Sequence, residues 1–505
     1  MAHMIDTTAP VRLGQFIDGR ERPAEAVIEV RNPSRTSHLV GTVAAGTVAD
    51  VDAAVDAAAA AASTWAATSA EVRIDLFTRI ADAIDADADD LATLVAQENG
   101  SVREIIRREL IGAAAAFRGI GSHLPGKLAP MRHDSGPDGA VVVVSRKPFG
   151  VVACIVPWNA PLVLTANKIA PAIAAGNTVV LKPSPFAPLG VTLIGRLAAS
   201  ILPAGVVNIV NGQGEVGAAL IGHASVRKIS FTGGGETARH VMRQAADRLT
   251  GVHFELGGND PAIVLSDADL AVTADRIADS AFRRAGQVCF AVKRIYVPRA
   301  QLAEFGELLA ERVDAITVGD ALDPRATMGP LNNAGQFEKV RGLRERAVAA
   351  GRDVRQLGTV LDPDAWDEGY FLRPTVVLDA EHDDELVREE QFGPVLPVVA
   401  YDTEEEAIAM ANDTEYGLCS SVWSRSLEHA TEVAGRIESG MTIVNSHLFS
   451  PVGTREIPFG GWKQSGVGWE GSPYGIDEYL QFHSVDVQTL PDPSVGRAAD
   501  DGQRR

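Results

Sequence analysis

Residues 178–246 have the sequence TVVLKPSPFAPLGVTLIGRLAASILPAGVVNIVNGQGEVGAALIGHASVRKISFTGGGETARHVMRQAA. Short runs rich in β-branched residues alternate here with longer segments of helical character. The predicted elements are strand Thr178–Leu181, helix Leu189–Ser200, strand Val206–Val210, helix Gly217–Gly222, strand Lys228–Phe231 and helix Glu236–Ala246. Strands that alternate with helices in this way predict an α/β fold with a parallel, doubly wound sheet.

The same alternation extends in both directions along the chain. Downstream, the predicted elements are strand Ala262–Leu265, helix Leu270–Arg283, strand Arg294–Pro298 and helix Gln301–Ala310, which indicate a second α/β unit. Upstream, residues 47–62 are helical, residues 71–119 form two helical stretches around Asn99-Gly100, and Val141–Val144 and Val151–Val156 are strands. The polar tail, residues 491–505, is predicted to be disordered.

Composition excludes several classes of function. The chain has 505 residues, 46% of them hydrophobic, and a net charge of −20, which disfavours a nucleic-acid partner. Three cysteines are too few for a disulfide framework and favour a reducing compartment. Residues 1–13 lack the apolar core of a signal peptide, and no apolar run approaches about 18 residues. We therefore expect a cytoplasmic protein with no membrane partner.

Two glycine-rich stretches each lie between a predicted strand and a predicted helix. Gly212–Gly217 (GQGEVG) matches G-x-G-x-x-G, and Gly233–Ala238 (GGGETA) matches G-x-G-x-x-A. Such a loop can aim a helix N-terminus at a pyrophosphate, although each match also fits an ordinary tight turn. An acidic residue about 20 positions later often binds the ribose, and Glu255 stands 20 residues after Gly235.

Three residues have side chains suited to covalent catalysis, and each also has a simpler interpretation. Cys289 follows a Gly-Gln turn and could be a nucleophile if its pKa were lowered, or a small buried apolar residue. Glu255 lies among apolar residues and could be a general base, or a solvated surface carboxylate. Asn159 ends a strand and could donate to an oxyanion, or cap a turn.

Eight motifs follow one another along the chain and settle these alternatives. They are Ile155-Val156-Pro157-Trp158-Asn159, Lys182-Pro183-Ser184-Pro185, Leu202-Pro203-Ala204-Gly205-Val206-Val207-Asn208, Phe231-Thr232-Gly233, Glu255-Leu256-Gly257-Gly258, Gly286-Gln287-Val288-Cys289, Glu389-Glu390-Gln391-Phe392-Gly393-Pro394 and Pro458-Phe459-Gly460-Gly461-Trp462-Lys463-Gln464-Ser465-Gly466. In this order the set resembles the aldehyde dehydrogenase superfamily, from about residue 32 (Asn32-Pro33) to about residue 485.

The resemblance implies an architecture of three parts. Residues 1–127 and 149–256 would form a Rossmann-type cofactor-binding domain, and residues 257–475 an α/β catalytic domain. Residues 128–148 and 476–490 would form a small β element for oligomerisation, so a homodimer or homotetramer is expected. An exposed strand edge at Val141–Ser145 or Tyr479–Val487 would be a liability unless it pairs.

The resemblance also implies a role for each candidate residue. Cys289 is similar to the family's nucleophile, Glu255 to its general base rather than a ribose ligand, and Asn159 to its oxyanion-hole amide. The residues similar to the family's NAD(P) contacts are Ile155, Val156, Pro157, Trp158, Lys182, Ser184, Gly214, Gly217, Phe231, Thr232, Gly233, Gly234, Leu256, Gln336, Glu390 and Phe392. NAD is the expected cofactor and NADP a possible one, because Pro185 replaces a glutamate common in NAD-preferring members. No metal site is expected.

The implied reaction is oxidation of an aldehyde to a carboxylic acid through a thiohemiacetal and a thioester on Cys289. Glu255 indicates hydrolysis of that thioester rather than transfer to coenzyme A. A thiol hydrolase without redox chemistry is the alternative class, although no histidine occupies a motif position that could pair with Cys289. The sequence departs from the family at Gly234, where serine is common, and at Arg284, where asparagine is common.

The substrate is predicted to be an apolar or aromatic aldehyde. Five aromatic residues near the motifs could line its tunnel: Trp158, Phe290, Phe449, Phe459 and Trp462. Arg283 occupies the position where relatives that oxidise semialdehydes place an arginine for the substrate carboxylate. The second arginine of those relatives is replaced here by Asn167, so a semialdehyde is the alternative substrate.

Overall fold

The computed structural model describes residues 9–135, 140–450 and 456–488. Its strands are β1 (Val11–Leu13), β2 (Gln15–Ile17), β3 (Arg20–Arg22), β4 (Val27–Asn32), β5 (Arg35–Ala44), β6 (Met131–Ser135), β7 (Ala140–Pro148), β8 (Val151–Ile155), β9 (Thr178–Lys182), β10 (Val207–Ile209), β11 (Val226–Thr232), β12 (Gly251–Glu255), β13 (Asp260–Val264), β14 (Val292–Pro298), β15 (Thr317–Val318), β16 (Val354–Gln356), β17 (Thr359–Val360), β18 (Thr375–Ala380), β19 (Val395–Tyr401), β20 (Cys419–Trp423), β21 (Met441–Val444), β22 (Gly466–Val467) and β23 (Leu480–Val487). Its α-helices are α1 (Val48–Ala66), α2 (Ala70–Ala86), α3 (Ala88–Asn99), α4 (Arg103–Leu128), α5 (Pro161–Ala174), α6 (Pro188–Ile201), α7 (Gly214–Gly222), α8 (Gly235–Ala246), α9 (Leu270–Phe282), α10 (Leu302–Asp314), α11 (Ala334–Ala349), α12 (Glu385–Arg388), α13 (Glu404–Asn412), α14 (Leu427–Ala434) and α15 (Tyr474–Asp477).

An eight-stranded sheet forms the first half of the molecule, in the order β22-β12-β11-β8-β9-β10-β2-β3. Its strands β8 to β12 are parallel, as the sequence predicted. Successive residues of β8 face two different apolar clusters: Val152 and Cys154 pack on one side, and Val151 and Ala153 on the other. A sheet buried on both faces explains why its strands are continuous apolar runs rather than alternating ones.

The second half is built on a seven-stranded sheet in the order β16-β18-β19-β14-β13-β20-β21. All its pairs are parallel except β16 with β18, and it has an apolar core of its own. A third sheet of three antiparallel strands, β23-β7-β6, joins segments more than 300 residues apart. In it Leu480 pairs with Pro148 and Val487 with Val141.

The predicted alternation of strands and helices is confirmed, and the differences lie mainly at element ends. Helix α7 begins at Gly214, three residues before the predicted start, and α10 continues to Asp314. The stretch before Asn99-Gly100 is two helices rather than one, because the backbone leaves the helical conformation at Asp87. Strand β6 lies within the predicted β element of residues 128–148 but was not predicted as a strand of its own, and no individual element was predicted between residues 311 and 475.

One segment crosses the domain boundary predicted from the sequence. Gly466–Val467, assigned there to the catalytic part, pairs with β12 at the edge of the first sheet. The predicted disordered tail, residues 491–505, lies outside the described residues. Among the helices of the described ranges, none is both long enough and apolar enough to span a membrane.

Candidate active site

The first sheet is wound in two directions from β8. Strands β9 and β10 follow on one side, and β11 and β12 on the other. The carboxyl ends of β8 and β11 therefore border a crevice, which is where doubly wound sheets bind ligands. The predicted cofactor residues cluster at this edge of the sheet: Ile155 to Trp158 after β8, Lys182 and Ser184 after β9, Phe231 to Gly234 after β11, and Leu256 after β12.

The loop between β11 and α8 is shaped to accept a group from outside. Gly234 caps α8, and a Cβ atom built on it would meet nothing within 4 Å. Thr232 Oγ1 is buried and has no hydrogen-bond partner among the described residues. A Cβ atom on Gly233 would lie 2.5 Å from the Phe231 ring, so glycine is required there. The free N–H groups of a helix N-terminus beside an unpaired hydroxyl fit the phosphates of a dinucleotide.

The side of the crevice toward β9 brings Lys182 together with the first turn of α7. Lys182 Cε would lie 3.4 Å from a Cβ atom on Gly217, and α7 begins at Gly214. Burial lowers the pKa of Lys182 to about 8, and the negative charge of Glu215 partly opposes this decrease. Ser184 lies nearby and its Oγ accepts the Phe186 N–H at 3.3 Å.

The opposite side of the crevice is formed by the loop after α12. Gln336 Nε2 donates to the carbonyl oxygens of Gln391 and Phe392 at 3.0 and 2.8 Å and so holds this loop. Phe392 has a left-handed φ of 53°, and its ring meets Trp158 edge-on at 5.6 Å. Glu390 Oε1 accepts the Gly258 N–H at 3.2 Å, which turns its carboxylate toward the loop after β12.

The loop that carries Cys289 has an unusual backbone. Arg284 and Ala285 each have a φ of 53°, and Gly286 follows with 75°. A Cβ atom on Gly286 would lie 2.3 Å from the Gly393 carbonyl oxygen, so only glycine fits. The Asn159 Nδ2 donates to the Gln287 carbonyl oxygen at 2.9 Å. This bond holds the amide beside the Cys289 loop and leaves its second N–H for another acceptor.

Cys289 is the half-buried cysteine of the chain, whereas Cys154 and Cys419 are fully buried. Burial raises the pKa of the Cys289 thiol to about 12; Lys293 opposes this increase, and Glu255 is the first of the carboxylates that add to it. The role of nucleophile predicted for Cys289 requires a lowered pKa. A positive charge near the thiol would favour the reactive thiolate.

Glu255 ends β12 inside the protein. The residue is 3% exposed, and neither oxygen of its carboxylate has a hydrogen-bond partner in the part of the chain described. Burial raises the pKa of Glu255 well above its usual range, Glu470 adds to the increase and Lys168 opposes it. A buried carboxylate of high pKa without partners is suited to take a proton from a water molecule.

A chain of buried polar groups lies behind Glu255. The Tyr479 hydroxyl and Lys168 Nζ donate to Ser230 Oγ at 2.9 and 3.2 Å. Ser230 can then give its own proton to His253 Nδ1, 3.0 Å away, which leaves the proton of the imidazole on Nε2. His253 Nε2 lies 3.5 Å from Glu255 Oε1. Burial, with Lys168 and Lys228, lowers the pKa of His253 well below its usual value, so the imidazole is neutral.

Sequence reasoning missed this chain of groups and the ion pair that adjoins it. Lys168 Nζ lies 3.4 Å from Glu470 Oε1, and both side chains are buried. The signal was the single charged residue in the mostly apolar helix α5, because lysine is rarely buried unless it is paired. Its partner stands 302 residues later and has no local signal.

Comparison with known proteins shows which family the chain belongs to. The model of the aldehyde dehydrogenase family matches residues 20–485. The chain belongs to the aldehyde dehydrogenase family. It is therefore an NAD(P)-dependent oxidoreductase of aldehydes, as the resemblance of its motifs implied.

Solved structures of aldehyde dehydrogenases superpose on nearly the whole chain. An aldehyde dehydrogenase from Brucella melitensis biovar abortus 2308 is 36% identical, covers 96% of this chain and 100% of its own, and has a TM-score of 0.90. An NADP-dependent enzyme from E. coli is 33% identical over 95% and 98% of the two chains, with a TM-score of 0.90. Betaine aldehyde dehydrogenase from Staphylococcus aureus in complex with NAD+ is 34% identical, covers 95% of this chain and 96% of its own, and has a TM-score of 0.89.

Three aromatic rings pack beside the Cys289 loop of this aldehyde dehydrogenase. Phe290 meets Phe449 at 5.3 Å and Phe459 at 5.9 Å, and the latter two rings meet at 5.8 Å. All three contacts are edge-on, the geometry that aromatic quadrupoles prefer. The structure thus brings together three of the five predicted tunnel residues; Trp158 contacts Phe392 instead, and Trp462 is 48% exposed.

Arg283 is engaged elsewhere in this aldehyde dehydrogenase. Its NH2 atom donates to Asp279 Oδ2 at 2.9 Å, one turn back on α9, in an exposed ion pair. The neighbouring Arg284 is buried and bonds Glu109 Oε2 at 2.6 Å and the Asn159 carbonyl oxygen at 3.0 Å. Where asparagine is common in the family, this chain therefore has Arg284, which forms a buried ion pair with Glu109.

Within the described ranges of this aldehyde dehydrogenase, one group of side chains could hold a metal ion. Asp260, Cys419 and His447 bring their ligand atoms within 4.8 Å of one another, and all are buried. His447 Nε2 lies 3.6 Å from Asp260 Oδ2, and its Nδ1 lies 2.9 Å from Ser421 Oγ. The positive charge of Lys293 also faces Asp260. A histidine and a lysine beside one aspartate can balance its charge without a metal.

Proposed function

We propose that this enzyme oxidises an apolar or aromatic aldehyde to the carboxylic acid, with Cys289 as the nucleophile and Glu255 as the general base. The observation that supports it most is the combination of three groups: the half-buried Cys289 thiol, the unpartnered buried carboxylate of Glu255 whose charge acts on that thiol, and the Asn159 amide bonded to the thiol's own loop. Each has the chemistry of one step in acyl transfer through a thioester.

The reaction begins with attack of the Cys289 sulfur on the aldehyde carbon. The carbonyl oxygen becomes negative, and the free N–H of Asn159 with the backbone N–H of Cys289 stabilises it. Loss of a hydride from the same carbon converts the thiohemiacetal into a thioester, and a nicotinamide cofactor held at the carboxyl ends of β8 and β11 would supply the acceptor for that hydride. Glu255 then takes a proton from water, the oxygen of that water adds to the thioester carbon, and the C–S bond breaks to release the acid and the Cys289 thiolate.

The residues around the crevice favour NAD over NADP as the cofactor. Lys182 offers a 2′-phosphate one point charge rather than a bidentate fork, and burial lowers its pKa to about 8, so that charge weakens above neutral pH. Glu215 in the first turn of α7 adds a negative charge on the same side, which repels a phosphate. Glu215 thereby provides a carboxylate on this side, although Pro185 replaces the glutamate that is common in NAD-preferring members. NADP remains the weaker alternative, and similar enzymes include one described as NADP-dependent.

The three aromatic rings beside Cys289 support an apolar or aromatic substrate. They form an apolar cluster next to the nucleophile and offer no charge to a carboxylate. Arg283 gives the semialdehyde alternative little support, because Asp279 already occupies its guanidinium. Membership of the family gives the thiol hydrolase alternative little support as well.

The test is a panel of four aldehydes assayed with NAD and with NADP by the absorbance of the reduced cofactor. Benzaldehyde and hexanal represent aromatic and apolar substrates, betaine aldehyde a cationic one and succinic semialdehyde an anionic one. We expect kcat/KM to be highest for benzaldehyde or hexanal, and to favour NAD. A preference for succinic semialdehyde would contradict the substrate assignment, and an advantage for NADP of about tenfold, or 1.4 kcal/mol, would contradict the cofactor assignment.

A further inference from the structure

Lys293 is a buried cation that neither the motifs nor the reaction above explain. It is the second residue of β14, four positions after Cys289, and its side chain is 2% exposed. Burying an ammonium group is costly unless it is paired and hydrogen-bonded. The sequence analysis did not single it out, because a lysine at the start of a strand is an ordinary surface feature.

The contacts of Lys293 point to the Cys289 loop. Its Nζ donates to the Val288 carbonyl oxygen at 2.7 Å and to the Cys289 carbonyl oxygen at 3.1 Å. Glu390 Oε1 lies 3.6 Å away, and the ammonium stands 5.6 Å from the centre of the Phe392 ring. These contacts hold the ammonium beside the nucleophile's own loop, and its positive charge acts on the Cys289 thiol.

The groups that face Cys289 from the surrounding elements are otherwise acidic. Burial raises the pKa of Cys289; Glu255 at the end of β12, Asp260 at the start of β13 and Glu390 after α12 raise it further, and Lys293 on β14 lowers it. The same lysine also lowers the pKa of Asp260 and of Glu390 against the effect of their burial. Three carboxylates thus disfavour a thiolate at this position, and one fixed cation opposes them.

We propose that Lys293 is a positioning residue for Cys289: its ammonium fixes the nucleophile's loop through two carbonyls and favours the ionised form of the thiol. The inference rests on the proposed role of Cys289 and deepens it. A cation held by the strand that follows the nucleophile would act before any substrate or cofactor binds, because all of its contacts are made within the chain.

The experiment measures the rate of alkylation of Cys289 by iodoacetamide against pH, in the full-length protein without cofactor or aldehyde. Alkylation requires the thiolate, so at each pH below the pKa of the thiol the rate reports the fraction of Cys289 that is ionised. The variant Cys289→Ala gives the background from the two buried cysteines. Lys293→Met removes the charge and the donor, Lys293→Gln keeps a donor without the charge, and Lys293→Arg keeps the charge.

We expect Lys293→Met and Lys293→Gln to displace the ascending rate profile upward by at least about one pH unit, which slows alkylation at a fixed pH about tenfold. Lys293→Arg should recover most of the rate. The matched control is Lys339→Met, because Lys339 is exposed and donates to the Glu390 carbonyl oxygen at 2.8 Å without contacting the Cys289 loop. Its profile should not move.

An unchanged alkylation profile in folded Lys293→Met and Lys293→Gln would overturn the inference, and so would an equal displacement in Lys339→Met. This outcome is separable from failure of the proposed function. If Cys289→Ser retained aldehyde oxidation, the nucleophile assignment would fail while the alkylation profiles still measured what Lys293 does. If Cys289→Ser were inactive and the Lys293 profiles did not move, only the inference about Lys293 would fail.

Discussion

Single residues decide the protonation chemistry of this site, and Glu255 shows how. Its pKa is raised by burial and by Glu470, so it is protonated at low pH and gains the form of a base only as pH rises. The neutral His253 presents its Nε2–H toward the carboxylate, which favours the ionised form and partly offsets the cost of burial. Activity that depends on the Glu255 carboxylate should therefore increase with pH.

The variant His253→Leu tests this arrangement. It removes the N–H that faces Glu255, so the pKa of Glu255 should rise and the ascending limb of the rate profile should move to higher pH. Because His253 Nε2 and Glu255 Oε1 are 3.5 Å apart, longer than a good hydrogen bond, the contact should contribute about 0.5–1 kcal/mol, and hydrolysis of the thioester at neutral pH should slow about two- to fivefold. Single-turnover quenching across pH measures it. A profile that coincides with wild type would mean that His253 does not act on Glu255.

At the scale of elements, one buried ion pair connects three segments around the nucleophile. Glu109 on α4 accepts the N–H groups of Leu162 and Val163, in the first turn of α5, at 2.7 and 3.0 Å. Its other oxygen binds Arg284, which in turn bonds the Asn159 carbonyl. The pair therefore ties the left-handed turn before Cys289 to the loop of Asn159.

We expect Arg284→Ala to destabilise the protein by about 3–5 kcal/mol, since it leaves the Glu109 charge buried without its cation. The neighbouring Arg283→Ala is the matched control: its pair with Asp279 is exposed, so the loss should be below about 1 kcal/mol. Urea unfolding midpoints of both variants measure the difference. Equal losses in the two variants would show that the Arg284 pair does not hold these segments.

The elements also show which parts of the site were visible in the sequence. Cys289, Glu255 and Asn159 stand in motifs whose local turns and glycines fix them, so short stretches of sequence identified them. Lys168, Glu470 and His253 act through neighbours brought by distant strands and helices, and Glu470 stands 302 residues from Lys168. The fold class followed from strand and helix alternation, whereas β6 and the pairing of Gly466–Val467 with β12 depend on tertiary contacts.

At the scale of the whole molecule, the third sheet exposes apolar side chains along strand β23. Strand β7 is paired on both sides, by β6 and β23, so within the described residues the outer sides of β6 and β23 are unpaired. Phe482, Val485 and Val487 on β23 are 70%, 43% and 51% exposed. An exposed strand edge with apolar side chains is a hazard unless another chain covers it.

We therefore propose that the enzyme is a homodimer or homotetramer that covers this sheet. Light scattering at micromolar concentration should give two or four times the chain mass of 53.3 kDa. The charged variant Phe482→Asp should shift the population toward smaller species, because burying an unpaired charge in an interface is costly. A single species of 53.3 kDa in the wild-type protein would contradict the proposal.

The most direct test of the proposed mechanism is the mass of the Cys289 peptide after Glu255→Gln is mixed with cofactor and the aldehyde that the panel identifies as the best substrate. Attack and oxidation should proceed and hydrolysis should stall, so we expect a burst of reduced cofactor of about one equivalent per site and an acyl group on Cys289. Cys289→Ser should give neither. Wild-type turnover in Glu255→Gln, or an acyl group on another residue, would contradict the account.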